Sequence, residues 1–198
     1  MPRSTRREFL AQTLASGVFL AWAAPVRGGQ RGLDQFLIAA PPCRDDLTPA
    51  VPAGREFRPG APVRRALAEP GRPGTRMTLS GFVTGLTCGR VKAARIDFWQ
   101  ADAAGAYDMT GDTLRGAVIT DADGKYTIET IVPGAVSGRA RRIGARVQPP
   151  GKPALTTYLF FPDDPAAAKD PAYKPLLVLK QTGSGTPRAY TFDFLLDL

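Results

Sequence analysis

The last nine residues, Tyr190-Thr191-Phe192-Asp193-Phe194-Leu195-Leu196-Asp197-Leu198, alternate in chemistry. Tyr190, Phe192, Phe194, Leu196 and Leu198 fall on one face of an extended chain, while Thr191, Asp193 and Asp197 fall on the other. That is the period of a strand buried on one side. Working back from this end, residues 176–180, 155–161, 141–147, 125–132, 115–120, 94–101 and 77–84 form short apolar or β-branched runs bounded by turn formers. Eight such runs, with no amphipathic helix between them, predict an all-β protein, an antiparallel β-sandwich over residues 77–198. Between two of them, Thr120-Asp121-Ala122-Asp123-Gly124-Lys125 has the Asp-x-Asp-Gly spacing of a calcium loop. It lacks the downstream bidentate Glu, so a hairpin turn with Gly124 at positive φ is expected.

Upstream of residue 77 the texture changes. Residues 25–76 are rich in Pro, Gly, Arg and Ala without a sustained period, and are expected to form an irregular arm. Residues 1–24 have a different character: Arg6-Arg7 precede Phe9-Leu10 and an uncharged apolar stretch that ends at Ala21-Trp22-Ala23. Twin arginines of this kind resemble the signal of the twin-arginine export pathway, with cleavage leaving a mature chain from about Ala24. The alternative is an uncleaved anchor. Export implies a periplasmic or other extracytoplasmic location, with no membrane association beyond the signal. In such a compartment Cys43 and Cys88 are expected to form a disulfide, contributing about 4 kcal/mol by loop closure.

The 198 residues suffice for one substantial core, and the formal charge is +8. The arginines are spread from Arg55 to Arg188 rather than gathered on a face with stacking aromatics, so nucleic acid is not an expected partner. The chain has no histidine. A Ser-His-Asp triad, a Cys-His pair and a histidine zinc site are therefore impossible. Asp108 and Asp112 could form a carboxylate pair of the glycosidase type, but carboxylates in glycine-rich loops are normally solvated.

A family resemblance begins at Leu79. Ser80-Gly81-Phe82-Val83-Thr84-Gly85, then Ala94 through Trp99-Gln100-Ala101-Asp102-Ala103-Ala104-Gly105-Ala106-Tyr107-Asp108, resemble the intradiol ring-cleavage dioxygenases, in which a strand ends in W-x-x-D-x-x-G-x-Y. The match continues through Leu114-Arg115-Gly116, Thr120 to Tyr126, Thr130-Ile131-Val132-Pro133-Gly134 and Leu155 to Phe161. Upstream, Cys43, Leu47-Thr48-Pro49 and Gly54 resemble the lead-in of exported members. The resemblance implies a non-haem Fe(III) held by two tyrosinates and two histidines, a chelated catechol and insertion of dioxygen between the hydroxylated carbons.

The same resemblance locates each ligand position. The first tyrosine falls on Tyr107 and the second on Val136. The histidine strand, G-R-x-R-H-I-H-x-K-V in relatives, is similar to Gly138-Arg139-Ala140-Arg141-Arg142-Ile143-Gly144-Ala145-Arg146-Val147, which places Arg142 and Gly144 where the histidines stand. Only Tyr107 retains a ligand. A guanidinium about 5 Å from Fe(III) costs on the order of 10 kcal/mol at an effective dielectric near 20, so no iron and no other cofactor is expected. Tyr158, which takes the place of a glutamine in relatives, does not restore a ligand set.

Three functions follow. The first is a pseudoenzyme acting by contact, with itself or with a homologous iron-bearing subunit, as in protocatechuate dioxygenases, which pair ligand-bearing and ligand-free subunits. The second is a vacated basic pocket in which Arg139, Arg142, Tyr107 and Tyr158 grip an aromatic or aliphatic carboxylate, unless Arg142 instead pairs with a nearby acid or snorkels to water. The third is an active dioxygenase with atypical iron ligation.

Overall fold

Residues 46–198, apart from residue 137, are described by a computed structural model. Cys43, the expected leader and the start of the arm lie outside them. Among the described residues the apolar runs become nine strands: β1 (Arg76–Gly85), β2 (Arg95–Gln100), β3 (Arg115–Ile119), β4 (Lys125–Ile131), β5 (Arg142–Gln148), β6 (Leu155–Phe160), β7 (Lys180–Gly183), β8 (Arg188–Thr191) and β9 (Phe194–Leu196). One sheet has the order β4-β1-β8-β7 with β9 also on β1, and the other has the order β3-β2-β5-β6.

The all-β sandwich is as expected, with three corrections. First, β1 runs parallel to β8 and β9, while every other strand pair is antiparallel. Second, residues 176–180 are not a strand. Pro175 starts a 3₁₀ turn over Pro175–Leu177, Val178 makes an isolated bridge to Phe160, and the next strand begins at Lys180. Third, the final run is two strands. At the break, the Tyr126 hydroxyl donates to the Phe192 carbonyl at 2.8 Å and the Asp193 carboxylate accepts the Phe82 N–H at 2.9 Å. Side chains thus replace ladder bonds, and Leu195 becomes buried while Leu198 stays exposed. Gly81 permits this approach, since a Cβ there would overlap the Phe192 carbonyl oxygen.

The sheets meet through Phe98 against Tyr126, centroids 5.6 Å apart, and Phe161 against Tyr190 at 5.3 Å. In β2 the Ile96 and Phe98 side chains therefore face the other sheet, and Trp99 points to the outer face. That outer face is covered too, because the arm crosses it. Thr48 N–H donates to Leu195 O at 2.9 Å and Val51 N–H to Thr156 O at 2.8 Å, while Val63 and Ala66 bridge to Ala117 and Glu129. These contacts cover β6, β3 and β4, edge strands whose free backbone groups would otherwise template aggregation. The described part of the arm thus folds with the sandwich.

The Asp121 turn is the expected hairpin. Its carboxylate accepts the Asp123 and Lys125 N–H groups at 3.0 and 2.8 Å, and Gly124 has φ 69°. Cys88 lies in the turn after β1 with φ 67° and is not a free thiol.

Candidate functional site

The loop after β2 explains the Trp-to-Tyr motif. Asp102 accepts the Ala104 and Ala106 N–H groups, both at 2.9 Å, and its own N–H donates to Ala106 O at 2.8 Å. Gly105 supplies φ 89°. A Cβ on Gly105 would strike the Ala135 carbonyl, and one on Gly134 the Ala103 carbonyl. The two glycines let this loop and the 133–136 loop lie backbone against backbone, joined by Gly134 N–H to Asp102 O at 2.7 Å. Tyr107 and half-buried Val136 are thereby brought to one end of the second sheet. The next turn is fixed by Asp108, whose carboxylate accepts the Thr110, Gly111 and Thr113 N–H groups at 3.0, 2.7 and 3.0 Å. These bonds hold its pKa well below the usual carboxylate range. Asp112 pairs with Arg58 at 3.3 Å. The two acids are occupied separately and form no catalytic pair.

Across the sheet, Trp99, Gly144 and Tyr158 are register partners on β2, β5 and β6, and Arg142, two residues before Gly144, shares their face. Position 144 is filled by its neighbour: a Cβ there would overlap Cε2, Cζ2 and Nε1 of Trp99. The indole is held on its other sides by Phe57 at 4.9 Å and Tyr158 at 5.9 Å between centroids.

Arg142 neither points to water nor leaves its charge unmatched. Its side chain is 4% exposed, with Nη1 3.3 Å from both Asp170 carboxylate oxygens and Nη2 3.3 Å from Glu56 Oε1. Its Cζ lies 4.1 Å from the Tyr158 ring centroid, a stacking worth about 2 kcal/mol when desolvated. Asp170 also accepts the Ala140 and Ala172 N–H groups at 3.1 and 2.9 Å. Glu56 is shared with the half-exposed Arg139 at 3.5 Å and with the Tyr158 hydroxyl, which donates to it at 3.4 Å and accepts the Gly54 N–H at 2.7 Å. Two guanidiniums thus face two carboxylates, and the cluster is close to neutral.

The Tyr107 hydroxyl is buried beside Arg142 and makes no well-formed hydrogen bond among the described residues. Burial pushes its pKa up, opposed by the Arg142 charge and reinforced by Glu56. Burial likewise raises Tyr158, offset in part by the Gly54 hydrogen bond. Both are neutral phenols at physiological pH.

The structure places Arg139, Arg142 and Tyr158 around one cleft, with Tyr107 beside Arg142 but not lining that cleft, and with Gly144 under the Trp99 indole. The sequence does not mark Glu56, Asp170 and Trp99 as site residues. Glu56 comes from the aperiodic arm, and Asp170 from the loop after β6 that contains a 3₁₀ turn at Ala167–Lys169. The motif quoted Trp99 but could not show that it fills the space over Gly144. A cleft of about 180 Å³ opens beside the cluster, lined by Val51, Pro52, Arg139, Tyr158, Asp170 and Pro171 among others.

A two-sheet sandwich with an aromatic and charged cluster at one end of β2, β5 and β6 has the architecture of an intradiol-type dioxygenase. The family model Dioxygenase_C, described as dioxygenase, matches residues 54–198, and the chain belongs to that family of intradiol ring-cleavage dioxygenases. Among solved structures, the dioxygenase domain of a dioxygenase–carbohydrate-binding fusion from Streptomyces sp. SirexAA-E is 44% identical, with TM-score 0.75 over 77% of this chain and 99% of that one. Hydroxyquinol 1,2-dioxygenase from Pseudomonas putida DLL-E4, 23% identical, shares the fold with TM-score 0.68 over 77% of this chain and 67% of that one. Among curated proteins, hydroxyquinol 1,2-dioxygenase from Rhizobium sp. (strain MTP-10005) is 29% identical over 124 residues, 50% of this chain and 42% of that protein. The match thus spans under half the length of that relative.

Proposed function

We propose that this chain is a non-catalytic member of its family that acts by binding or contact rather than by ring cleavage. The observation that carries the reading is Arg142, a buried cation with two carboxylate partners at a position where the family places a neutral metal ligand. The residues present do not fit the family's ferric ion. A fixed guanidinium stands against it, an indole fills the second histidine position, and the Val136 side chain offers no donor atom. Among the described residues no three His, Cys, Asp or Glu side chains are grouped to hold a metal.

The activity test is oxygen uptake on catechol and hydroxyquinol with Fe(III) supplied. The expected result is no uptake above the protein-free rate, and turnover abolished by Tyr107→Phe would contradict the proposal. Contact with a second copy or with an iron-bearing homologue fits a sandwich that keeps its core while losing its ligands. Co-expression with such a homologue and size-exclusion chromatography would detect it. The leader and the Cys43–Cys88 disulfide belong to the same reading of an exported protein. A thiol assay of the unfolded, unreduced chain should find no free thiol.

A second reading is favoured by the cleft beside Arg139. That side chain is 51% exposed and among the described residues makes one long ion pair, to Glu56, so it retains donors for a carboxylate with an apolar body. Isothermal titration with benzoate and short aliphatic acids tests this; Arg139→Met should abolish the heat, and heat of dilution alone in the unaltered chain removes the reading.

A further inference from the structure

The arm covers the seam between the two sheets only in part. At Ala117 on β3 it brings Pro62 O and Arg64 N–H to the outward backbone groups at 2.8 and 2.9 Å, and at Glu129 on β4 it brings Arg65 O and Leu67 N–H at 2.9 and 2.8 Å. Both strands are sheet edges, and the backbone groups of an edge turn outward at every second residue. Ile119 therefore presents its N–H and C=O to the same side as Ala117, and Thr127 to the same side as Glu129. Lys125, next in the series, is closed by Asp121. Ile119 and Thr127 are left open, and no backbone group among the described residues meets them on that side.

A groove of about 610 Å³ opens at this point, between the arm and the Asp121 turn. Its apolar side chains face water, with Val63 64% and Ile119 47% exposed. Three cations line it, Arg64, Arg65 and Lys125, against one acid, Asp121, whose carboxylate already accepts two N–H groups of its own turn. Arg64 meets only carbonyl oxygens, and Arg65 reaches Glu129 across 3.5 Å with both side chains exposed.

We propose that this seam docks a short extended segment of an acidic partner protein, which adds to Ile119 and Thr127 as the arm adds to Ala117 and Glu129. Main-chain bonds to an open sheet edge give such a segment its affinity, and its alternating side chains give the choice of partner. Apolar residues of the segment cover Val63 and Ile119, and its carboxylates meet Arg65 and Lys125. A second copy of this chain is the poorer occupant, because the chain carries a formal charge of +8. The seam lies at the far end of the second sheet from the Arg142 cluster: on β2, Arg95 pairs with Ile119 and Gln148, whereas Trp99 pairs with Arg115 and Gly144. The proposal therefore stands or falls apart from whether the chain cleaves a catechol.

The probe is a fluorescein-labelled peptide of alternating glutamate and valine, titrated into the full chain at physiological salt. Saturable anisotropy is expected, with amide shifts in a nitrogen-15 spectrum centred on Ile119 and Thr127. Ile119→Pro removes the outward N–H at an edge position that tolerates proline and should abolish binding; Lys125→Glu should weaken it roughly tenfold. The same peptide N-methylated along its length tests the main-chain bonds without altering the protein, and it should not bind. Absence of saturable binding overturns the proposal, as does equal binding of the methylated peptide or of polyglutamate, which would mean charge attraction alone. A dimer of the unaltered chain that Ile119→Pro dissolves would overturn it too, by giving the seam to a second copy. Should Ile119→Pro not fold, the methylated peptide decides.

Discussion

The indole of Trp99 occupies the volume that any side chain at Gly144 would need, since a Cβ on Gly144 would overlap three atoms of the ring. The two residues are register partners on adjacent strands, so neither can retreat without disturbing the β2–β5 ladder. Gly144→Ala is expected to cost about 1–3 kcal/mol through overpacking. Gly144→His should cost more and should alter the near-ultraviolet circular dichroism as Trp99 is displaced. Denaturant unfolding measures the cost, and an unaffected midpoint would show that the indole is free to move.

Asp170 is the partner whose loss should be felt most. Its carboxylate is 1% exposed and holds Arg142 together with two backbone N–H groups. Asp170→Asn leaves a buried guanidinium with one acid and is expected to destabilise the fold by about 3–5 kcal/mol. Replacing the whole cluster, Arg142→Met with Glu56→Gln and Asp170→Asn, should recover most of that loss, because it leaves no uncompensated charge buried in the cluster. A triple variant no more stable than Asp170→Asn alone would contradict this.

The phenols give a pH dependence. Burial raises Tyr107 and Tyr158 above the ordinary value, and raises the fully buried Tyr126 well above it. Their stabilising neutral form is fully populated below the unfolded pKa of about 10, and its contribution is lost as pH rises through the higher folded values. Stability measured by urea unfolding should therefore hold through pH 9 and fall above about pH 10. Tyr107→Phe should make that fall shallower; an identical slope would mean that Tyr107 ionises freely in the folded protein.

Much of this site could be read in the sequence because it lies on strands and in a tight loop with local rules. Asp102, Gly105 and Tyr107 declare a turn through their own chemistry, and the alternation of Arg142 with Gly144 places both on one face of β5. The final strand is less regular than its pattern implies. Its alternation is real, but Asp193 and Tyr126 redirect backbone bonds at Phe192, and neither side chain signals that partner in sequence. Glu56 lies 86 positions from Arg142 in a segment without periodicity. Sequence reasoning could foresee that Arg142 would seek an acid, but long-range pairing of this kind carries no local signature.

If the Arg142 guanidinium stands where relatives hold iron, elemental analysis of the purified full chain after incubation with Fe(III) and removal of excess will show it. The expected result is an iron-to-protein ratio near zero and a colourless protein. A ratio near one, with a visible tyrosinate-to-iron band that disappears in Tyr107→Phe, would contradict it.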